Sequence, residues 1–186
     1  CCGGNPSIFA DYYNTTKKYM VPWTNTNANF VDADLRGCDP SSVLCSSIGN
    51  SPFVTVTSMT ASVIPTTNLT PAEAIANIKN ILLQNKAVTY SQHLPTQAAA
   101  GDFHDFWKNS DESAMFDPTQ FSGQTWDNGG GHDEIIVGYD DTDPNNSYWI
   151  ILNSWGTPSN RPNAVWYLPM NANYDDYYLE NNTQHP

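Results

Sequence analysis

Two polar side chains lie beside strand-like runs at a spacing that suits proton chemistry. His132 opens the run Gly130-Gly131-His132-Asp133-Glu134-Ile135-Ile136-Val137-Gly138-Tyr139-Asp140. Asn153 follows Tyr148-Trp149-Ile150-Ile151-Leu152 and begins Asn153-Ser154-Trp155-Gly156. A turn over Asp140–Ser147 would fold the two runs into a hairpin and let the side chains meet. An Asn carbonyl oxygen accepts a hydrogen bond from an imidazole N–H, which fixes the tautomer and turns the other ring nitrogen toward a nucleophile. Trp155, two residues beyond the Asn, is placed to keep water off that bond. By spacing alone, a structural histidine at a strand start is the competing explanation.

Around this pair the sequence reads as elements of both kinds. Asn5-Pro6 supplies a cap and a first-turn proline for a helix whose buried stripe is expected at Ile8, Phe9, Tyr12 and Tyr13, ending before Val21-Pro22. Residues 23–52, rich in Asn, Asp, Ser, Gly and Thr, read as loop. Phe53 to Val63 alternates and reads as a strand. Thr70-Pro71-Ala72-Glu73 is a capping box opening a helix through Ile75, Ile78 and Leu82 to about Gln84. A strand at Ala87–Gln92 and a short helix at Phe103, Phe106 and Trp107 follow. Residues 109–131 read as loop ending in Gly129-Gly130-Gly131, and strands are expected at His132–Tyr139, Tyr148–Leu152 and Ala164–Leu168. Helices and loops first, then mostly strands, indicates an α+β fold with an antiparallel sheet. Trp149 and Trp166 are expected in its core, and Tyr174, Tyr177 and Tyr178 in C-terminal packing.

The letters around His132 and Asn153 go further than their spacing. GGHxxxxVGY followed by YWIxxNSWG strongly resembles the papain-like (C1) cysteine peptidases. The resemblance implies a two-lobed fold, with a partial helical lobe and a β-rich lobe flanking a cleft, over residues 1–186. It implies His132 as general base, Asn153 as its orienting partner and Trp155 as their shield, with a cysteine thiolate as nucleophile. Cys1-Cys2-Gly3-Gly4-Asn5-Pro6 fits the family's C-N-G-G-x-P segment. On that alignment Cys1 is a structural disulfide cysteine, Gly3 and Gly4 offer backbone to the substrate, and Pro6 borders the pocket for the residue two before the scissile bond. Cys2 stands where the family has Asn. Asp133 takes the position after the His that lines the same pocket, so a carboxylate there would favour a basic or polar side chain. Turning to solvent or to a local donor is the alternative.

The sequence departs from the family pattern at the nucleophile. It has no C-G-[SA]-C-[WY] segment and no upstream oxyanion Gln. Three explanations compete: a separate N-terminal fragment, linked through Cys1, carries the Cys; a preceding segment is missing; or this is a catalytically inactive module with a binding or assembly role. Cys2 as nucleophile is a weaker fourth explanation, because Gly-Gly-Asn-Pro separates it from the helix. A glycan- or peptide-binding wall protein is permitted by the aromatic and Asn/Thr content.

Composition narrows partners and compartment. With 7 basic and 19 acidic residues the net charge is −12, which disfavours nucleic acid and anionic membranes. No apolar run approaches the roughly 20 residues of a membrane span. Cys38 and Cys45 are close enough for a local disulfide loop. His93, His104, His132 and His185 lack zinc spacing, so neither metal nor cofactor is expected. Asp140, Asp141 and Asp143 read as a solvated turn rather than a calcium loop. Sequons at Asn14, Asn68, Asn145 and Asn181, with the cysteines, favour a secreted or lysosome-like protein acting on peptides or proteins.

Overall fold

The computed structural model describes residues 6–16, 19–22, 24 and 53–186. Cys1, Cys2, Gly3, Gly4, Cys38 and Cys45 lie outside the described residues, as does the expected loop apart from Thr24. The chain divides into two compact units, residues 1–63 and 64–186.

In the first unit, α1 spans Pro6–Thr15. A two-stranded ladder pairs β1 (Tyr19–Met20) with β2 (Val54–Thr55). The expected helix is there, but its buried residues are Ala10 and Tyr13. Ile8, Phe9 and Tyr12 of the expected stripe are exposed. Tyr13 is fixed through its hydroxyl, which donates to Val56 O at 3.0 Å and accepts from Val56 N at 3.1 Å. Asn14 clamps Met59 in the same way, donating to its carbonyl and accepting from its amide. The strand expected over Phe53 to Val63 shrinks to Val54–Thr55. Among the described residues the segment pairs with the two residues of β1, and Phe53, Val54 and Val63 are all exposed.

The second unit carries the α+β architecture. Helix α2 (Pro71–Leu82) starts at the expected capping box: Glu73 N donates to Thr70 Oγ1, and Thr70 N donates to Glu73 Oε2. Its buried residues, Ala74 and Ile78, are four apart on one face. Strands β3 (Val88–Thr96), β4 (Asn128–Asp140), β5 (Tyr148–Leu152) and β6 (Val165–Pro169) form one antiparallel sheet in sequential order. Between β3 and β4 lie α3 (Gln97–Asn109), N-capped by Thr96, and a 3-10 turn over Pro118–Phe121. Helix α3 is longer than the expected short helix, because Gln97, Ala98, Ala99 and Ala100 extend it N-terminally from its Thr cap.

Strand β4 likewise starts earlier than expected and takes in the three glycines. Gly130 and Gly131 pair with Leu94 and His93. Gly129 is required by packing: a Cβ there would lie 2.2 Å from Leu94 O and 2.5 Å from Pro95 C, both backbone atoms. A C-terminal hairpin, β7 (Tyr178–Glu180) with β8 (Thr183–His185), was not expected from the sequence. Its turn uses Asn181 and Asn182 at positive φ.

One sheet face and α3 enclose the core, which includes Ile78, Phe103, Trp107, Ile136, Ile151 and both expected tryptophans, Trp149 and Trp166. Burial of each such aliphatic or Phe side chain stabilises the fold by about 1.5–3 kcal/mol. Trp149 Nε1 donates to Tyr174 Oη at 3.0 Å, and Tyr174 Oη donates to Met170 O, so Tyr174 packs as expected. Asp140 and Asp143 cap their own turn through the amides of Thr142 and Asn145.

Candidate functional site

Period-two alternation on β4 decides what faces inward. His132, Glu134 and Ile136 point toward α3 and the core, whereas Asp133, Ile135 and Val137 are exposed on the other face. The β4–β5 register (Ile135 with Leu152) brings the residue after β5 beside the His132–Glu134 stretch of β4. That residue is Asn153, 4% exposed and tied by its N–H to Ala164 O at 2.9 Å. Its Oδ1 lies 2.9 Å from His132 Nε2, across 21 positions of sequence. With the amide oxygen toward the ring, Nε2 carries the hydrogen and Nδ1 keeps its lone pair. Among the described residues Nδ1 has no hydrogen-bond partner.

Trp155 covers the pair. Its ring stacks on the His132 imidazole at 4.6 Å and 29°. Phe103 and Trp107 of α3 hold the indole from beneath, at 5.5 and 6.0 Å. The indole is 42% exposed, so it forms a lid between imidazole and solvent rather than part of the core.

The chain after Trp155 returns to lock the helix that holds this lid. Arg161, fully buried, donates from Nε to Trp107 O and from Nη2 to Phe106 O, and from Nη1 to Val165 O. Asn160 adds a 2.7 Å bond to Ser110 O. Trp107 O and Ser110 O lie at the C-terminus of α3, and Phe106 O, which also accepts from Ser110 N, gains a second donor; the cation suits that end of the dipole. The guanidinium also lies over the Phe106 and Trp107 rings, at 4.6 and 4.9 Å.

Asp133 lies across the strand from His132, exposed, and accepts a 2.6 Å bond from Ser91 Oγ on β3. The local donor is therefore present, and the carboxylate stays at the surface. Pro6 is exposed at the first position of α1. Of the sequon asparagines, Asn68, Asn145 and Asn181 are exposed, while the Asn14 amide is engaged with Met59.

Glu134, which the sequence sets next to Asp133 as a second carboxylate for the same pocket, instead faces inward. It is 2% exposed and inward-facing beside His132. Trp166 Nε1 donates to its Oε1 at 2.7 Å and Gln92 Nε2 to its Oε2 at 2.9 Å. Burial pushes its pKa up to about 8, against the lowering effect of the Trp166 bond. The signal was parity: a Glu two residues from His132 in a strand that otherwise turns apolar residues inward.

Among the described residues no three His, Cys, Asp or Glu side chains converge as a metal site. No helix there is long and apolar enough to cross a membrane.

Comparison with known proteins agrees with this geometry at the level of family. Searches of curated proteins and of solved structures give no match. The family model described as papain family cysteine protease matches residues 68–178. That span runs from the cap of α2 through His132, Asn153 and Trp155 into β7, and it is more than half of the chain. The chain belongs to the papain family of cysteine proteases.

Proposed function

We propose that this chain supplies the base half of a cysteine endopeptidase site. His132 Nδ1 takes the proton of a cysteine thiol, and the thiolate attacks the peptide carbonyl to give an acyl-thioester. The imidazolium then protonates the leaving amine, and water hydrolyses the thioester with His132 again as base. Asn153 holds the ring in the Nε2–H tautomer, and Trp155 keeps water off that hydrogen bond. The observation that carries the reading is the 2.9 Å His132–Asn153 pair beneath a stacked Trp155.

The nucleophile comes from a segment other than those described, either preceding this one or in a separate fragment joined through Cys1. Substrates are peptides or proteins; the family resemblance gives Gly3, Gly4 and Pro6 to peptide binding, and Asp133 to the pocket for the residue two before the scissile bond. Secretion or delivery to a lysosome-like compartment fits disulfides at Cys1, Cys38 and Cys45 and glycans at exposed sequons.

The test is labelling of the native protein with a thiol-reactive peptide analogue, followed by mass mapping, beside peptide hydrolysis by the native and His132→Ala proteins. A labelled cysteine and hydrolysis that vanishes in His132→Ala support the reading. No labelled cysteine and no hydrolysis would leave an inactive papain-like binding module.

A further inference from the structure

Behind the His132–Asn153 pair sits a carboxyl group that the peptidase chemistry described above does not use. Glu134 Oε1 is 3.8 Å from His132 Nε2, the same nitrogen that Asn153 engages. It stops short of a hydrogen bond because Trp166 Nε1 holds Oε1 from β6. Gln92, from β3, holds the other oxygen. Three strands thus fix this carboxyl group behind the imidazole, out of contact with solvent.

We propose that Glu134 is a positioning residue for His132, a second acceptor that stabilises the imidazolium when it forms. This rests on the peptidase reading for its catalytic meaning, though not for its geometry. A neutral imidazole gives a buried carboxylate little reason to ionise, and burial alone holds Glu134 protonated up to about pH 8. An imidazolium 3.8 Å away would favour the ionised form of Glu134.

Gln92 is suited to serve both states. Its Nε2 donates to the carboxylate, while its buried Oε1 has no partner among the described residues. Rotation of the amide would turn that oxygen toward a protonated Glu134, whose O–H then donates to it. Among the described residues, Tyr90 on β3 is the other titratable group facing Glu134, and burial holds its phenol pKa well above the ordinary range, so it stays neutral. Asp133 points to the opposite face of β4. Trp166 and Asn153, from the remaining neighbours, carry no charge.

The experiment is a pH titration of the His132 ring by NMR in the full chain, for the native protein, Glu134→Gln and Trp166→Phe. Glu134→Gln keeps the shape and can still accept from Trp166 while donating to Gln92. Its ring midpoint is expected to fall by about one pH unit, the scale for an opposite charge at this range. Trp166→Phe frees Oε1 to approach Nε2, and its midpoint is expected to rise. Should Glu134→Gln not fold, Trp166→Phe alone decides. A midpoint unmoved in the folded variants overturns the proposal and leaves Glu134 as a core polar group. In hydrolysis assays of the native enzyme and Glu134→Gln, the alkaline limb of kcat/KM should move to lower pH in the variant. If hydrolysis is absent but the ring midpoints move, the peptidase reading fails and the His132–Glu134 coupling stands.

Discussion

His132 and Asn153 meet at 2.9 Å although one lies within a strand and the other follows that strand's neighbour. The hairpin register and the Asn153 N–H bond to Ala164 O create that contact, so the tautomer is set by the sheet. Replacing Asn153 with Ala leaves Nε2–H without its acceptor and the ring free to rotate. Hydrolysis should fall about 10–100-fold in kcat with KM little changed, whereas His132→Ala should lose about 10²–10⁴-fold, the scale of a general base. Steady-state kinetics on one peptide measures both. Equal, small losses would mean the ring does not move the proton.

The buried Glu134 makes stability depend on pH with a definite sign. Its folded pKa, about 8, lies above the ordinary 4.5, so the folded state holds a proton that the unfolded chain releases between those values. Stability from this group is fully present below pH 4.5 and is lost as pH rises toward 8, at roughly 1.4 kcal/mol per pH unit. Asp176, also raised by burial, and His93, lowered by burial, titrate nearby. The difference between native protein and Glu134→Gln therefore isolates the term. Urea unfolding at pH 5 and pH 8 should show the native protein losing more stability than the variant. Equal losses would place Glu134 in contact with water.

The sheet and helices were legible where pattern and tertiary context agree. The Thr70 cap, the antiparallel strands and the two core tryptophans follow from periodicity and composition. Pattern misled where side-chain spacing did not translate into burial. Ile8, Phe9 and Tyr12 have helical spacing yet are exposed, and of the alternating stretch Phe53 to Val63 only Val54–Thr55 is strand among the described residues. Glycines 129–131 read as loop because Gly is a poor strand former, while here two of them pair in the ladder and Gly129 lets β3 approach. At the site, the motif carried His132, Asn153 and Trp155. Glu134 and Arg161 matter through burial, which no local pattern shows.

Arg161 ties the loop after Trp155 to the helix beneath it. Truncation to Ala would leave the Phe106, Trp107 and Val165 carbonyls without this donor and remove a fully buried side chain. A loss of about 3 kcal/mol is expected. Arg161→Lys should recover only part, since an ammonium cannot span three carbonyls and two rings in the same plane. Thermal unfolding ranks the three proteins. A Lys variant as stable as the native one would show that charge alone suffices.

Asp133 and Ser91 offer a test of specificity separate from the proton chemistry. The Asp133 carboxylate is exposed and accepts one bond, from Ser91 Oγ at 2.6 Å. If it reads the side chain two residues before the scissile bond, Asp133→Ala should remove a preference for Lys or Arg there. Ser91→Ala frees an acceptor and should sharpen that preference. The expected change is about two- to five-fold in the kcat/KM ratio of basic over neutral peptides, the scale of one exposed charge pair. Because Asp133 faces away from His132, the pH profile should keep its shape in both variants. Profiling with a peptide library varied at that position reads the ratio directly. An unchanged ratio in both variants would return Asp133 to a surface role, pinning β3 to β4 through Ser91.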